Sequence, residues 1–177
     1  GGRRSNMTPA RLELEPGVVL DGRRALWLEP ERAIVVADLH IGYPWVQRQR
    51  GLLLPVEVPD ETTARLASLV DDYRPAQLVF LGDLVHASVP LPALTRTLTD
   101  LLVPLANRTS LVLVLGNHDH RLDVLLERHP LPLRLCDSLA LGPHRLVHGH
   151  ETSPDLEAFL ATRPPSGRLI LGHEHPV

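Results

Sequence analysis

Hydrophobic residues form four short continuous runs along the chain. These apolar runs lie at 33–37, 78–81, 111–115 and 169–171, the last within a strand predicted over 168–171. Runs of this length predict strands that are buried on both faces of a sheet, because neither face needs a polar residue. The spacing between the runs is long enough for crossover helices, so the pattern predicts an α/β fold with parallel strands.

The segments between these runs repeat apolar residues with helical spacing. Leu66, Leu69, Val70 and Tyr73 predict one face of a helix. Further helices are predicted from about 92 to 103, where Pro104 would end the helix, and after Leu122. Ser153-Pro154-Asp155 has the residue types of a helix N-terminus.

The remaining segments predict shorter elements. Strands are predicted at 12–20, 25–28, 134–136, 139–141 and 145–147, and a short helix at 44–50. The chain has 177 residues, of which 44% are hydrophobic, enough for one domain with a substantial core. Residues 1–6 precede the only methionine and are interpreted as a cloning remnant, which leaves one domain over 7–177.

Composition limits the location and the partners. No apolar run approaches the length of a membrane span, and one cysteine, Cys136, cannot form an internal disulfide, so a cytoplasmic location is expected. The net charge of −3 gives no general attraction for polyanions. Aromatic residues make up 3% of the chain, which indicates no stacking platform for single-stranded nucleic acid.

Polar residues that can bind metals occur in five short motifs, four of which directly follow an apolar run. The motifs are Asp38-Leu39-His40, Gly82-Asp83, Gly116-Asn117-His118-Asp119, His148-Gly149-His150 and Gly172-His173-Glu174-His175. Parallel strands bring their C-terminal ends to one edge of a sheet, so these side chains are expected to converge. Carboxylate, imidazole and amide donors suit Mn²⁺, Fe²⁺ or Zn²⁺, whereas the lack of a cysteine cluster argues against structural zinc. Each motif alone is common in loops and turns, but all five in this order, most of them directly after a strand, predict a metal site.

In this order the motifs resemble those of the calcineurin-like metallophosphoesterase superfamily, from Ala33 onward. The resemblance implies an α/β fold in which a β-sandwich is flanked by helices, with the metal site at the C-terminal ends of the strands. Within the superfamily, the phrases VVADLHIGY, FLGDLVH and LGHEHP resemble the phosphoesterases related to the nuclease subunit SbcD and the ligase-associated DNA damage response endonucleases. Further strands follow in similar proteins, so the chain is expected to be truncated after Val177.

The resemblance also implies a role for each matching residue. One metal ion would be bound by Asp38, His40 and His175, the other by Asn117, His148 and His173, and Asp83 would bridge the two. His118 would contact phosphate and protonate the leaving oxygen, Asp119 would orient or tune His118, and Asn117 and His86 would also contact the substrate. The alternative for His86 is a loop position at the rim of the pocket, without a role. His150 is an alternative ligand to His148, which is favoured because it directly follows a predicted strand. His120, His129 and His144 are expected at the surface.

The implied activity is hydrolysis of phosphodiesters by a hydroxide that bridges two divalent ions, most simply Mn²⁺, with Fe²⁺ or Zn²⁺ as alternatives. The first hypothesis is a nuclease or phosphodiesterase in DNA repair, acting on single-stranded or damaged DNA with repair proteins as partners. The second is a phosphatase or phosphodiesterase for a small nucleotide, which the negative charge and few aromatic residues favour. A binding subunit without catalysis is disfavoured, because every motif position is filled.

Overall fold

A computed structural model describes residues 8–41, 58–85, 91–119, 121–149, 154–162 and 167–172. The described residues form two sheets and four helices. Among them, no helix combines the length and the apolar character that a membrane crossing requires.

The larger sheet has seven strands in the order in which they occur along the chain. They are β1 (Arg11–Glu15), β2 (Val18–Asp21), β3 (Ala25–Leu28), β4 (Ala33–Val36), β5 (Gln77–Leu81), β6 (Ser110–Val114) and β7 (Arg134–Cys136). The strands from β1 to β4 pair antiparallel, and those from β4 to β7 pair parallel. The parallel half therefore brings the C-terminal ends of β4, β5 and β6 to one edge, as the apolar runs predict.

The smaller sheet has three strands in the order β10-β9-β8. These are β8 (Ser138–Leu141), β9 (His144–Val147) and β10 (Leu169–Leu171), with β9 and β10 parallel. The helices are α1 (Val58–Tyr73), α2 (Leu91–Ala106), α3 (Leu122–Arg128) and α4 (Pro154–Thr162). Helices α1 and α2 connect neighbouring parallel strands of the larger sheet, and α4 connects β9 to β10.

Residues of the parallel strands alternate between two hydrophobic cores. Ile34, Leu78 and Leu113 belong to the core that the larger sheet forms with α1, α2 and α3. Val79 and Val112 belong to the core between the two sheets, which also contains residues of β8 and β9. Burial on both faces explains why these strands are continuously apolar. The predicted α/β fold with a β-sandwich flanked by helices is confirmed.

Three local predictions are wrong. The strand expected over 12–20 is split by a turn in which Gly17 has a φ of 80°. Pro104 does not end α2, which continues to Ala106 because Leu102 and Leu105 on either side of the proline are buried. His144 is buried, since it alternates with Arg145 on β9 and its Nδ1 accepts the Arg168 N–H at 3.2 Å.

His129 is exposed, as expected. The helix expected at 44–50 and the surface position expected for His120 lie outside the described residues.

Candidate metal centre

The loops that follow β4 and β5 run side by side at the C-terminal edge of the larger sheet. The backbone N–H of Asp38 donates to the carbonyl oxygen of Gly82 at 3.3 Å, and that of His40 donates to the carbonyl oxygen of Asp83 at 2.9 Å. Ile41 then pairs with Val85 in a parallel bridge. These backbone hydrogen bonds hold the first two motifs next to each other, although Asp83 follows His40 by 43 positions in the chain.

Asp38, His40 and Asp83 form a cluster of possible metal ligands. One donor atom from each of the three residues lies within 4.8 Å of the others. Asp38 is exposed, His40 is half-buried and Asp83 is buried, so the cluster opens to solvent on one side. Two carboxylates and an imidazole at this separation fit a divalent transition-metal ion.

His148 brings a second set of donors to Asp83. Its Nε2 lies 3.2 Å from Oδ1 of Asn117 and 3.3 Å from Oδ2 of Asp83. Its Nδ1 lies 3.3 Å from the carbonyl oxygen of Leu81, which can only accept, so Nδ1 is the protonated nitrogen in the neutral ring. The Nε2 lone pair then faces two oxygen acceptors. Three acceptors around one point fit a bound cation, and the Leu81 carbonyl fixes the ring in the tautomer that a metal ion needs.

Asp83 lies between the two sets of donors. Its Oδ2 is 4.0 Å from Nε2 of His40 and 3.3 Å from Nε2 of His148. Its Oδ1 accepts the backbone N–H of His118 at 3.1 Å, which fixes the carboxylate plane. The residue is 1% exposed. One oxygen is therefore held by the protein, while the other is presented to both histidines.

Asp119 connects the loop after β6 to the loop after β5. Its Oδ2 accepts the N–H of Gly116 at 2.8 Å, and its Oδ1 accepts the N–H of Val85 at 3.2 Å. Asp83 and Asp119 thus each accept a backbone N–H from the other's loop. Burial raises the pKa of the fully buried Asp119 carboxyl, the backbone hydrogen bonds oppose that rise, and the charge of Asp83 adds to it. The Asp119 carboxylate accepts backbone N–H groups from both loops, so it holds the loop that carries His118 next to the loop that carries Asp83.

The imidazole of His118 lies next to that of His40. Its ring centroid is 5.7 Å from that of His40, with an angle of 71° between the ring planes. The side chain is half-buried, so it is accessible to a group bound from solvent. Since its backbone is held by Asp83, the ring position is tied to the candidate bridging carboxylate.

Three of the candidate ligands adopt the left-handed backbone conformation. The φ angles are 51° for Asp38, 46° for His40 and 50° for Asp83. Aspartate and histidine tolerate this region better than most non-glycine residues do. The conformation turns the chain sharply at the strand ends, and the backbone bonds between the loops hold it in place.

Two glycines allow the ligands to approach each other. A Cβ atom at Gly116 would lie 2.5 Å from both the backbone nitrogen and Oδ1 of Asp83. A Cβ atom at Gly82, whose φ is 77°, would lie 1.8 Å from Nδ1 of His148. Neither neighbour can move without displacing a candidate ligand. Glycine at these positions is therefore required by the packing of the site.

We expect Gly82→Ala to displace His148 and to lower the affinity of the protein for Mn²⁺ by about 100-fold, the upper range for disturbing the support of a metal ligand. Isothermal titration of the metal-free protein with MnCl₂ measures this. Gly17→Ala is the matched control, because Gly17 also has a positive φ, 80°, and a Cβ atom there would be 3.0 Å from its nearest neighbour, Cδ of Pro30. Equal Mn²⁺ affinity in both variants would contradict the packing argument.

The remaining predicted site residues lie outside the described residues. They are His86, His150, His173 and His175. Gly172, which precedes His173, donates its N–H to the carbonyl oxygen of Val147 at 3.3 Å. A Cβ atom on Gly172 would be 2.0 Å from the Leu81 carbonyl oxygen, so the chain passes residue 172 at the same edge of the fold.

The Leu81 carbonyl oxygen is a site group that the sequence does not indicate. It orients His148 through Nδ1, and it belongs to the backbone of an apolar strand. No residue type at position 81 could reveal it. Only the expectation that a metal-bound histidine needs a partner for its second nitrogen suggests that such a group exists.

Comparison with known proteins agrees with this geometry. A family model for the calcineurin-like phosphoesterases matches residues 31–177. Among solved structures, nuclease MPE of Pseudomonas putida is similar, with a TM-score of 0.62 and 25% sequence identity over 83% of this chain and 69% of that chain. A search of the curated proteins finds no match. The superfamily predicted from the motifs is confirmed, and with it the metal-dependent hydrolysis of phosphate esters. The chain belongs to the calcineurin-like phosphoesterase family.

Proposed function

We propose that the protein is a phosphodiesterase with two metal ions that cleaves nucleic acid. The observation that carries the proposal is the position of Asp83. One oxygen of this buried carboxylate lies 4.0 Å from His40 and 3.3 Å from His148, so two separate sets of donors share it. A shared carboxylate is what two closely spaced ions require.

The two sets of donors divide the candidate ligands. Asp38 and His40, with His175, would bind the first ion, and Asn117 and His148, with His173, would bind the second. Asp83 would belong to both. His148 is preferred over His150 because its Nε2 faces Asn117 and Asp83 while its Nδ1 is held by a carbonyl. The ions, most simply Mn²⁺, would supply an activated water at neutral pH and neutralise charge on the phosphate.

The protein groups around the ions would orient the substrate and handle the proton. His118 would protonate the leaving oxygen, since its ring is accessible and its backbone is fixed by Asp83. Asn117 and His86 would contact the phosphate. Asp119 would keep the loop of His118 in register with the loop of Asp83 through its two backbone hydrogen bonds.

The nuclease of Pseudomonas putida supports nucleic acid as the substrate. We propose single-stranded or damaged DNA in repair, with repair proteins as partners in the cytoplasm. A small nucleotide is the second candidate, because the net charge of −3 gives no general attraction for a polyanion.

Hydrolysis of four substrates, each with MnCl₂ and with chelator, tests the proposal. The substrates are a bis-aryl phosphodiester, an aryl phosphomonoester, a cyclic nucleotide and single-stranded DNA. We expect hydrolysis of the phosphodiester and of DNA that is lost with chelator and restored by Mn²⁺. Activity on the monoester or the cyclic nucleotide alone would replace the nuclease proposal by the second candidate. Hydrolysis that persists in chelator would rule out the metal-dependent assignment of the site.

A further inference from the structure

The turn between β2 and β3 places an arginine at the edge of the sheet that carries the metal centre. Asp21 pairs with Ala25, so Arg24 is the last residue of a three-residue turn. Strands β3 and β4 are antiparallel, with Leu26 opposite Val35. Continuing this register places Arg24 level with position 37, the residue immediately before Asp38. Arg24 therefore lies beside the start of the loop that carries Asp38 and His40.

Helix α1 brings a second arginine to the same turn. The guanidinium of Arg23 donates to Oγ of Ser68 at 3.2 Å and to Oδ2 of Asp72 at 2.7 Å, so this face of α1 covers the turn. Arg65 lies one helical turn before Ser68. Burial lowers the pKa of the Arg65 guanidinium, and the positive charge of Arg24 lowers it further. Arg24 follows Arg23 in the chain, and Arg65 lies on the face of α1 that the Arg23 side chain contacts, so both arginines lie at the same turn.

The other arginines near this turn are neutralised, but Arg24 and Arg65 are not. Arg11 and Arg23 both form ion pairs with Asp21 and Asp72, which gives two positive and two negative charges. In the part of the chain that the structure describes, the side chains of Arg24 and Arg65 form neither an ion pair nor a hydrogen bond. Two positive charges without an ion-pair partner among the described residues therefore lie at the turn that adjoins the loop of Asp38 and His40.

The backbone at Arg24 also favours a different residue. Its φ is 60°, the left-handed conformation that the last position of a three-residue hairpin turn requires. Glycine fills this position with less strain than arginine does. Arginine at position 24 is therefore tolerated by the turn, not required by it, as it also is at positions 32 and 74, where φ is positive too.

We propose that Arg24 and Arg65 form a phosphate-binding subsite, which holds a backbone phosphate of a polynucleotide next to the phosphodiester at the metal centre. Guanidinium groups match phosphate oxygens in charge and geometry, and a bound phosphate would neutralise the charges of the two arginines. A substrate with a single phosphate would place it at the metal ions, and it would have no second phosphate to bind Arg24 and Arg65. The inference rests on the proposed function, and it specifies a polynucleotide as the substrate.

The chain provides a matched pair of substitutions for testing this subsite. Arg74 is exposed, has a φ of 46°, and follows α1 at the opposite edge of the sheet, before β5. Arg24→Gly and Arg74→Gly remove the same charge from the same backbone conformation, so only the position of the charge differs. Arg65→Gln is a further variant that keeps the helix and the length of the side chain.

Binding of a fluorescent single-stranded DNA oligonucleotide in chelator is measured by anisotropy at several salt concentrations. We expect Arg24→Gly and Arg65→Gln to weaken binding by about 5-fold each, as for a partly exposed charged contact. The slope of log K against log salt should decrease by about 0.7 for a lost contact to a single strand. Arg74→Gly should change neither quantity, and all three variants should hydrolyse a bis-aryl phosphodiester at the wild-type rate.

The outcomes separate this subsite from the proposed function. The subsite is wrong if Arg24→Gly and Arg74→Gly weaken DNA binding equally. It is also wrong if Arg24→Gly and Arg65→Gln leave DNA binding unchanged, or if the wild type does not bind DNA. Loss of bis-aryl phosphodiester hydrolysis in Arg24→Gly would instead show that the arginine supports the metal centre. If the wild type binds DNA through this pair but hydrolyses no phosphodiester, the proposed function fails and the subsite stands.

Discussion

Asp83→Asn is expected to abolish hydrolysis of phosphate esters while preserving the fold. Asparagine keeps an oxygen that can accept the His118 N–H, and it tolerates the left-handed conformation that residue 83 adopts. It replaces the oxygen facing His40 and His148 by an amide nitrogen, which cannot bind a metal ion. Losing several kcal/mol of charge stabilisation in the transition state corresponds to a decrease in kcat/KM of about 10³-fold or more.

The thermal midpoint with and without MnCl₂ separates loss of metal from loss of fold. Ligand at 100 times its Kd stabilises a protein by about 2.7 kcal/mol, or roughly 5–10 °C for a chain of this size. We expect this shift in the wild type and in Asp100→Asn, which changes an exposed aspartate on α2. Asp83→Asn should lose the shift and keep a wild-type midpoint in chelator. A full Mn²⁺ shift in Asp83→Asn would mean that Asp83 is not a ligand.

The predictable part of the fold is the part with two buried faces. Strands β4, β5 and β6 are continuously apolar because each contributes to both cores, so their positions follow from the residues alone. The strand split at Gly17 and the helix that continues through Pro104 depend on what packs around them. At these positions the residue type only favours a turn or a helix end, and the packing of neighbouring residues determines whether one forms.

The candidate site divides in a similar way. That Asp38 and Asp83 meet follows from parallel strands, because β4 and β5 are neighbours and end at the same edge. The hydrogen bonds from the Val85 N–H to Asp119 and from the His118 N–H to Asp83 do not follow, since they depend on how two loops turn after their strands. The position of Arg24 beside this edge needs the pairing of β3 with β4, which no local sequence pattern specifies.

His118→Ala tests whether a metal site of this kind also needs a proton donor from the protein. We expect the variant to bind Mn²⁺ as the wild type does, because the contact of His118 with Asp83 is made by the backbone N–H, which alanine retains. Removing a general acid typically decreases the rate by about 10²–10⁴-fold. His129→Ala is the control, since it removes an exposed imidazole at the end of α3.

The leaving group decides how large the loss in His118→Ala should be. A nitrophenolate is stable as an anion, so it can depart without a proton, whereas the alkoxide of a nucleotide sugar cannot. We therefore expect a small decrease in kcat for a bis-nitrophenyl phosphodiester and the full decrease for DNA, with metal content unchanged by elemental analysis. Equal decreases for both substrates would assign His118 to binding the phosphate instead of protonating the leaving oxygen. Loss of one metal ion would make His118 a ligand, and the site would then need a proton donor other than His118.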